Sequence, residues 1–168
     1  MSSVSQPIGG GQERHRRAST VNVPAVVGLG AAAEIARQEL AERQQQLASL
    51  RDRFEEGLGE LDVVVHGDSV PRLPNTSHIA LRGVDGETLM IRLDLAGYAV
   101  STGAACSSGT VEPSSTLLAL GMTSREALSS LRVSFGISNT AAEVDDFLEL
   151  LTNEVAVLRS RAADEPSP

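Results

Sequence analysis

The chain has 168 residues, with 14 basic and 22 acidic side chains, a net charge of −8 and aromatic residues at only 2% of positions. This length suits one domain, and the negative charge argues against binding to nucleic acid or anionic lipid, since both favour a basic surface. No apolar run approaches the roughly 20 residues of a membrane span, and a single cysteine excludes an internal disulfide. We therefore expect a cytoplasmic protein with no nucleic-acid or membrane partner.

All 14 basic residues are arginines, so the chain contains no lysine. A Schiff base forms on an amine, and no side chain here can make the covalent link on which pyridoxal-phosphate enzymes depend. A codon bias toward arginine also explains this composition. The chemical consequence is the same in either case.

In chain order, residues 1–18 are polar and glycine-rich, and we expect a flexible lead-in. A long helix follows from about Val23 to Leu58, closed by Gly57 and Gly59. Its apolar positions recur at steps of three, four or seven residues, at Leu40, Leu47, Leu50, Phe54 and Leu58.

The rest of the chain alternates short strands and helices. Strands are predicted at Val63–Val65, His78–Leu81, Tyr98–Val100 and Leu131–Phe135. Shorter helices are predicted after Asp85, Ser114 and Thr123, and a long one after Thr140; the last two have the Ser/Thr-x-x-Glu spacing of a capping box. Residues 161–168 read as a disordered tail. The pattern predicts an α+β fold, a small sheet of three or four short strands covered by long helices.

Cys106 lies in a segment rich in Ser, Thr, Gly and Ala, from Ser101 to Ser115. A buried structural cysteine is one interpretation, because free cysteines are among the most buried residues. A mobile nucleophile is the other, because small residues leave the backbone free to move. The thiol then keeps a pKa of about 8.5 unless a positive charge lies nearby.

Arg132 sits in an alternating strand and faces opposite to Leu131 and Val133. Its guanidinium is either an ordinary solvent-facing charge or a group that binds a carboxylate through two hydrogen bonds. The three histidines, His15, His66 and His78, do not have the spacing of metal ligands, so no metal site is predicted and each is expected to be structural or exposed.

Several segments match one family in order. They are Gly9–Glu13 with Arg17, Thr20 and Asn22, then Pro74–Thr76, Ser101–Ser108, Glu112–Ser114, Leu118–Gly121 and Leu131–Gly136. Together they resemble the cysteine desulfurases, pyridoxal-phosphate enzymes of the class-V aminotransferase superfamily. The resemblance covers residues 8 to 155. It implies the small C-terminal domain of a fold-type-I enzyme at residues 19–160, with an active-site loop at 101–115.

The resemblance also implies roles for three residues. Cys106 would accept sulfur from substrate cysteine as a persulfide, leaving alanine. Arg132 would bind the substrate carboxylate, and Thr20 would contact the phosphate of pyridoxal phosphate across a dimer interface, which implies a homodimer. The sulfur would serve iron–sulfur clusters or thionucleosides, through an accepting scaffold protein.

Two features depart from the family pattern. Ser19 replaces a glycine beside Thr20, and the large domain with its Schiff-base lysine has no counterpart in this sequence. The chain alone is therefore expected to be inactive; the cofactor-binding large domain is either supplied by another chain or missing, through a truncation or a misplaced start. The alternative is a non-catalytic remnant, or a persulfide carrier or interaction module.

Overall fold

The computed structural model describes residues 9–14, 17–59, 61–102 and 112–164, without the side chains of Arg17 and Asp164. Contacts divide the chain into two compact units, residues 1–41 and 42–168. The first contains a hairpin of β1 (Gly11–Gln12) and β2 (Arg17–Ala18), followed by the start of helix α1 (Val23–Gly57), which continues into the second. This hairpin lies in the segment predicted as a flexible lead-in.

The second unit is built on a four-stranded antiparallel sheet in the order β3-β4-β6-β5. Its strands are β3 (Val63–Val65), β4 (Thr76–Leu81), β5 (Ser101–Thr102) and β6 (Ser130–Ser134). Its helices are α2 (Gly86–Leu95), α3 (Ser115–Ala119), α4 (Ser124–Leu128) and α5 (Ala141–Asp164), together with the end of α1. Helix α5 continues into the segment predicted as a disordered tail. None of the described helices has the length and apolarity needed to span a membrane.

One face of the sheet forms the core. Ile79, Leu81, Leu131 and Val133 alternate along β4 and β6 with residues of the other face, as the two-residue period of a strand requires. They pack with apolar residues of α1, α2 and α5, namely Leu50, Phe54, Leu89, Leu93, Val144, Phe147, Leu151 and Val155. Within α1 the predicted apolar stripe is buried at Leu50 and Phe54, whereas Leu40 is 54% exposed.

Local sequence signals set several boundaries. Asp85 caps α2 by accepting a hydrogen bond from the Thr88 N–H at 2.8 Å. Thr123 and Glu126 form the predicted capping box of α4, in which each side chain accepts from the other residue's backbone N–H. Thr140 and Glu143 make the same reciprocal bonds at the start of α5. These bonds satisfy N–H groups that a first helical turn leaves without partners.

The strand predicted at Tyr98–Val100 is wrong in position, because β5 begins only at Ser101. The Tyr98 N–H bonds the carbonyl of Leu93, and the Tyr98 ring packs on Phe147 at 5.2 Å between centroids. These contacts hold residues 98–100 against α2 and α5 rather than in the ladder with β6. A cavity of about 600 Å³ lies where this segment and the end of β6 separate.

Candidate functional site

Cys106 lies outside the described residues, between Thr102 and Glu112. The structure describes the segments before and after it in the chain, which are β5 and the Ser114 cap of α3. Cys106 is four positions after Thr102, so their Cα atoms are at most about 14 Å apart.

Arg132 lies on β6 and is exposed, on the face of the sheet opposite to the core. Ser101 of β5 is its cross-strand partner on one side and His78 of β4 on the other. Within the described part of the chain it makes no salt bridge, whereas Arg51, Arg53, Arg72 and Arg92 each pair with an acid. A guanidinium in this state has all five N–H donors available for a carboxylate.

A row of polar side chains crosses the sheet through Arg132. The His66 N–H bonds the His78 carbonyl at 2.8 Å, so these two residues are also cross-strand neighbours. The register then places four residues side by side on one face, in the order His66, His78, Arg132 and Ser101. Because directly opposed residues have Cβ atoms about 5 Å apart, this row is one continuous polar strip.

The histidines of this row are the residues that sequence reasoning missed. Their Nδ1 atoms are 2.7 Å apart, and their rings lie 4.9 Å apart between centroids. Both side chains are half-buried. The signal that could have found them is strand register. His66 directly follows β3, and an antiparallel pairing of β3 with β4 brings it opposite His78. Among the described residues there is no group of three metal-ligating side chains.

Burial sets the charge state of this pair. Burial, followed by the neighbouring His66 and the Arg132 guanidinium, lowers the pKa of His78 from 6.5 to about 4. Burial also lowers the pKa of His66, and the Glu126 carboxylate opposes part of that effect. Both imidazoles are therefore neutral at pH 7, and Arg132 is the cation of the row.

Thr20 lies in the first unit, after the β1–β2 hairpin, and is exposed. Ser19 before it has a φ of +74°, a left-handed conformation that favours glycine. Its N–H bonds the Gly10 carbonyl at 3.0 Å and so closes the hairpin. The family pattern has glycine at this position, and the backbone here keeps the conformation that a glycine would adopt.

Pyridoxal phosphate does not fit this chain as a covalently held group, because its Schiff base needs a lysine and the sequence has none. The cavity near β5 does not change this conclusion. Its charged lining residue, Glu143, already accepts hydrogen bonds from the Thr140 N–H and hydroxyl. The described residues supply an exposed arginine without a salt bridge among them and, beside it, two neutral imidazoles.

Comparison with known proteins identifies the family. The family profile described as aminotransferase class-V matches residues 5–147. A cysteine desulfurase from Gluconacetobacter diazotrophicus is 44% identical over 153 residues, which is 90% of this chain and 38% of the relative. An IscS-like cysteine desulfurase from Mycobacterium tuberculosis is 43% identical over 157 residues, covering 92% of this chain and 40% of the relative.

Solved structures agree with this assignment. The NifS-like protein of Rickettsia africae superposes with a TM-score of 0.78 at 30% identity, over 94% of this chain and 41% of that protein. Another NifS-like protein gives a TM-score of 0.74 at 34% identity, over 89% of this chain and 38% of that one. The predicted resemblance and fold class are thereby confirmed, and the chain spans about two fifths of the length of the relatives that it matches. The chain belongs to the class-V aminotransferase family, and its relatives there are cysteine desulfurases.

Proposed function

We propose that this chain supplies the sulfur-accepting thiol and the substrate-carboxylate anchor of a cysteine desulfurase. The observation that carries the proposal is Arg132, an exposed guanidinium without an ion pair among the described residues, directly across from the strand that leads to Cys106. The relatives named cysteine desulfurase supply the reaction class. In that reaction, the residues of this chain bind the substrate and accept its sulfur.

Arg132 fixes the substrate by two parallel N–H···O bonds to the carboxylate of L-cysteine. The Cys106 thiolate then attacks the sulfur of that cysteine. A bond forms between the two sulfur atoms, and the bond between sulfur and the substrate Cβ breaks. The Cβ keeps the electron pair of the broken bond and takes up a proton, so the products are L-alanine and a persulfide on Cys106.

Breaking that carbon–sulfur bond needs an electron sink, which pyridoxal phosphate, held on a lysine before substrate binds, would supply. The lysine has to come from polypeptide outside this sequence, because this sequence contains none. We therefore place the activity in an assembly of this chain with a cofactor-binding domain. Within that assembly Thr20 contacts the cofactor phosphate, in a homodimer located in the cytoplasm. An acceptor protein for iron–sulfur cluster or thionucleoside synthesis takes up the sulfur.

The missing lysine also favours a second function, in which the chain carries a persulfide or an interaction surface without catalysis. Both functions use Cys106, but only the first uses Arg132. The variant Arg132→Lys therefore separates them, because it impairs only the first.

In the assembled enzyme, Cys106→Ala is expected to abolish persulfide formation while the cofactor absorbance stays unchanged. Persulfide on another residue would refute the assignment of Cys106. Arg132→Lys is expected to raise KM for cysteine about tenfold, because an ammonium group loses the two-point geometry. Arg161→Lys, at an exposed position near the end of α5, is the matched control. An unchanged KM in Arg132→Lys would remove the anchor role.

A further inference from the structure

The imidazole pair of His66 and His78 has no part in the reaction proposed above, yet it lies beside the residue that anchors the substrate. The order β3-β4-β6 places His66 on one side of His78 and Arg132 on the other. His78 directs its Nδ1 atom at His66, 2.7 Å away. Nε2 is the other ring nitrogen of His78, and the cross-strand neighbour of His78 on the side away from His66 is Arg132.

The short contact between the two Nδ1 atoms fixes how protons are shared. One Nδ1 donates a proton and the other accepts it, so two neutral imidazoles have only two arrangements. Either His78 donates and its Nε2 is a bare acceptor, or His78 accepts and its Nε2 carries a proton. The hydrogen bond at one nitrogen of a histidine thus determines the state of the other.

The charges beside the two histidines favour the first arrangement, in which Nδ1 of His78 donates. The Arg132 guanidinium lies near His78, and the Glu126 carboxylate lies near His66. A lone pair on Nε2 of His78 attracts the cation, whereas an N–H there would direct positive charge at it. On His66 the first arrangement leaves a proton on Nε2, which the nearby carboxylate stabilises.

A second observation involves the same atom. The Nε2 of His78 is buried and has no hydrogen-bond partner among the described residues. A buried polar atom without a partner is costly. Arg132 has five N–H donors, of which a carboxylate uses two. Arg132 does not bond Nε2 in the structure, so its exposed side chain has to rotate for one of the remaining donors to satisfy this atom.

We propose that the His66–His78 pair is held in one tautomer, in which Nε2 of His78 is a bare acceptor that orients the Arg132 guanidinium for the substrate carboxylate. His78 is then a positioning residue, because it acts on the substrate through Arg132. This inference rests on the proposed function only for the identity of the carboxylate. The tautomer itself depends on the described residues alone.

The direct test is the two-bond ¹H–¹⁵N spectrum of the histidine rings in the full chain at pH 7.5. A bare ring nitrogen resonates far downfield of a protonated one. The His78 signals, assigned through His78→Gln, are expected to show a protonated Nδ1 and a bare Nε2, with the reverse in His66. A protonated Nε2 in His78 would overturn the proposal.

Arg132→Gln tests the cause of this preference. Removing the cation is expected to move the Nε2 shift of His78 toward an average of the two tautomers, whereas Arg161→Gln removes an equal charge near the end of α5 and is expected to leave it unchanged. An unchanged His78 spectrum in Arg132→Gln would show that Arg132 does not select the tautomer, and would overturn the proposal.

Kinetics of the assembled enzyme test the consequence. His78→Leu removes the acceptor and is expected to raise KM for cysteine about fivefold with little change in kcat, which corresponds to one hydrogen bond. His78→Gln keeps an acceptor oxygen and is expected to recover most of that loss. Equal KM values in His78→Leu and the wild type would contradict the positioning role.

The two sets of results separate the inference from the proposed function. If the spectrum shows the expected tautomer and Arg132→Lys leaves KM unchanged, the imidazole pair is as described and Arg132 does not anchor the substrate. If Arg132→Lys raises KM and the spectrum shows the other tautomer, the anchor stands and the role of His78 is refuted.

Discussion

Acidification is expected to destabilise the chain through His78 before its carboxylates are protonated. The pKa of His78 in the folded state is about 4, which lies below the value of 6.5 for the solvated side chain in the unfolded state. The unfolded state therefore binds a proton at a pH where the folded state does not. Stability from the neutral imidazole is fully present above pH 6.5 and is lost as the pH falls toward 4.

The size of this loss follows from the two pKa values. Between pH 7.5 and pH 5.0 the difference in proton binding lowers the free energy of unfolding by about 2 kcal/mol. His66 adds to the loss, because burial lowers its pKa as well. Carboxylates such as Glu126 and Glu143, whose pKa values are lowered by bonds from Thr123 and Thr140, contribute mainly at lower pH.

Urea unfolding followed by circular dichroism at a series of pH values measures this loss. The matched control is the double variant His66→Gln/His78→Gln, which keeps the carboxylates and removes both imidazoles. The wild type is expected to lose at least about 2 kcal/mol more than the double variant between pH 7.5 and 5.0. Equal losses in the two proteins would refute the reasoning, as would a His78 titration midpoint near 6.5 in the NMR spectrum.

Two glycine positions give further predictions. A Cβ on Gly86 would lie 2.6 Å from the Leu128 carbonyl oxygen, a backbone atom, so Gly86→Ala is expected to lower the unfolding free energy by about 2 kcal/mol. Gly28→Ala in α1 meets nothing within 4 Å and is the control; an equal loss in both would contradict the steric argument. Ser19→Gly removes the strain of a serine in the left-handed conformation and is expected to stabilise the hairpin by about 1 kcal/mol. The measurement is hydrogen exchange of the residue-19 amide, which bonds the Gly10 carbonyl and is expected to exchange more slowly. The paired change Ala18→Gly is expected to speed that exchange, and faster exchange in Ser19→Gly would remove the strain argument.

Much of the fold could be predicted from sequence because its signals are local. The capping boxes at Thr123 and Thr140 and the apolar period of α1 depend on residues within a few turns of each other, and the structure has these helices. The start of β5 could not be predicted in this way. Tyr98 is held by Leu93 and Phe147, contacts that arise only once α2 and α5 are in place.

The candidate site divides in the same way. The alternation of Leu131, Arg132 and Val133 predicts which face Arg132 occupies, and the structure has it on the face opposite to the core. The imidazole pair depends instead on the register of β3 against β4, which no single segment encodes. Cys106 lies outside the described residues, so its role remains a prediction from the family motif.

We propose that Cys106 accepts sulfur when a second polypeptide supplies the cofactor lysine. The most direct measurement is to purify the tagged chain with its partners from its native host, add L-cysteine, and examine the peptide that contains Cys106 by mass spectrometry. We expect a stoichiometric partner with lysine-bound pyridoxal phosphate and the gain of one sulfur atom on Cys106. A colourless preparation without such a partner, in which Cys106 gains no sulfur from cysteine, would contradict the proposal.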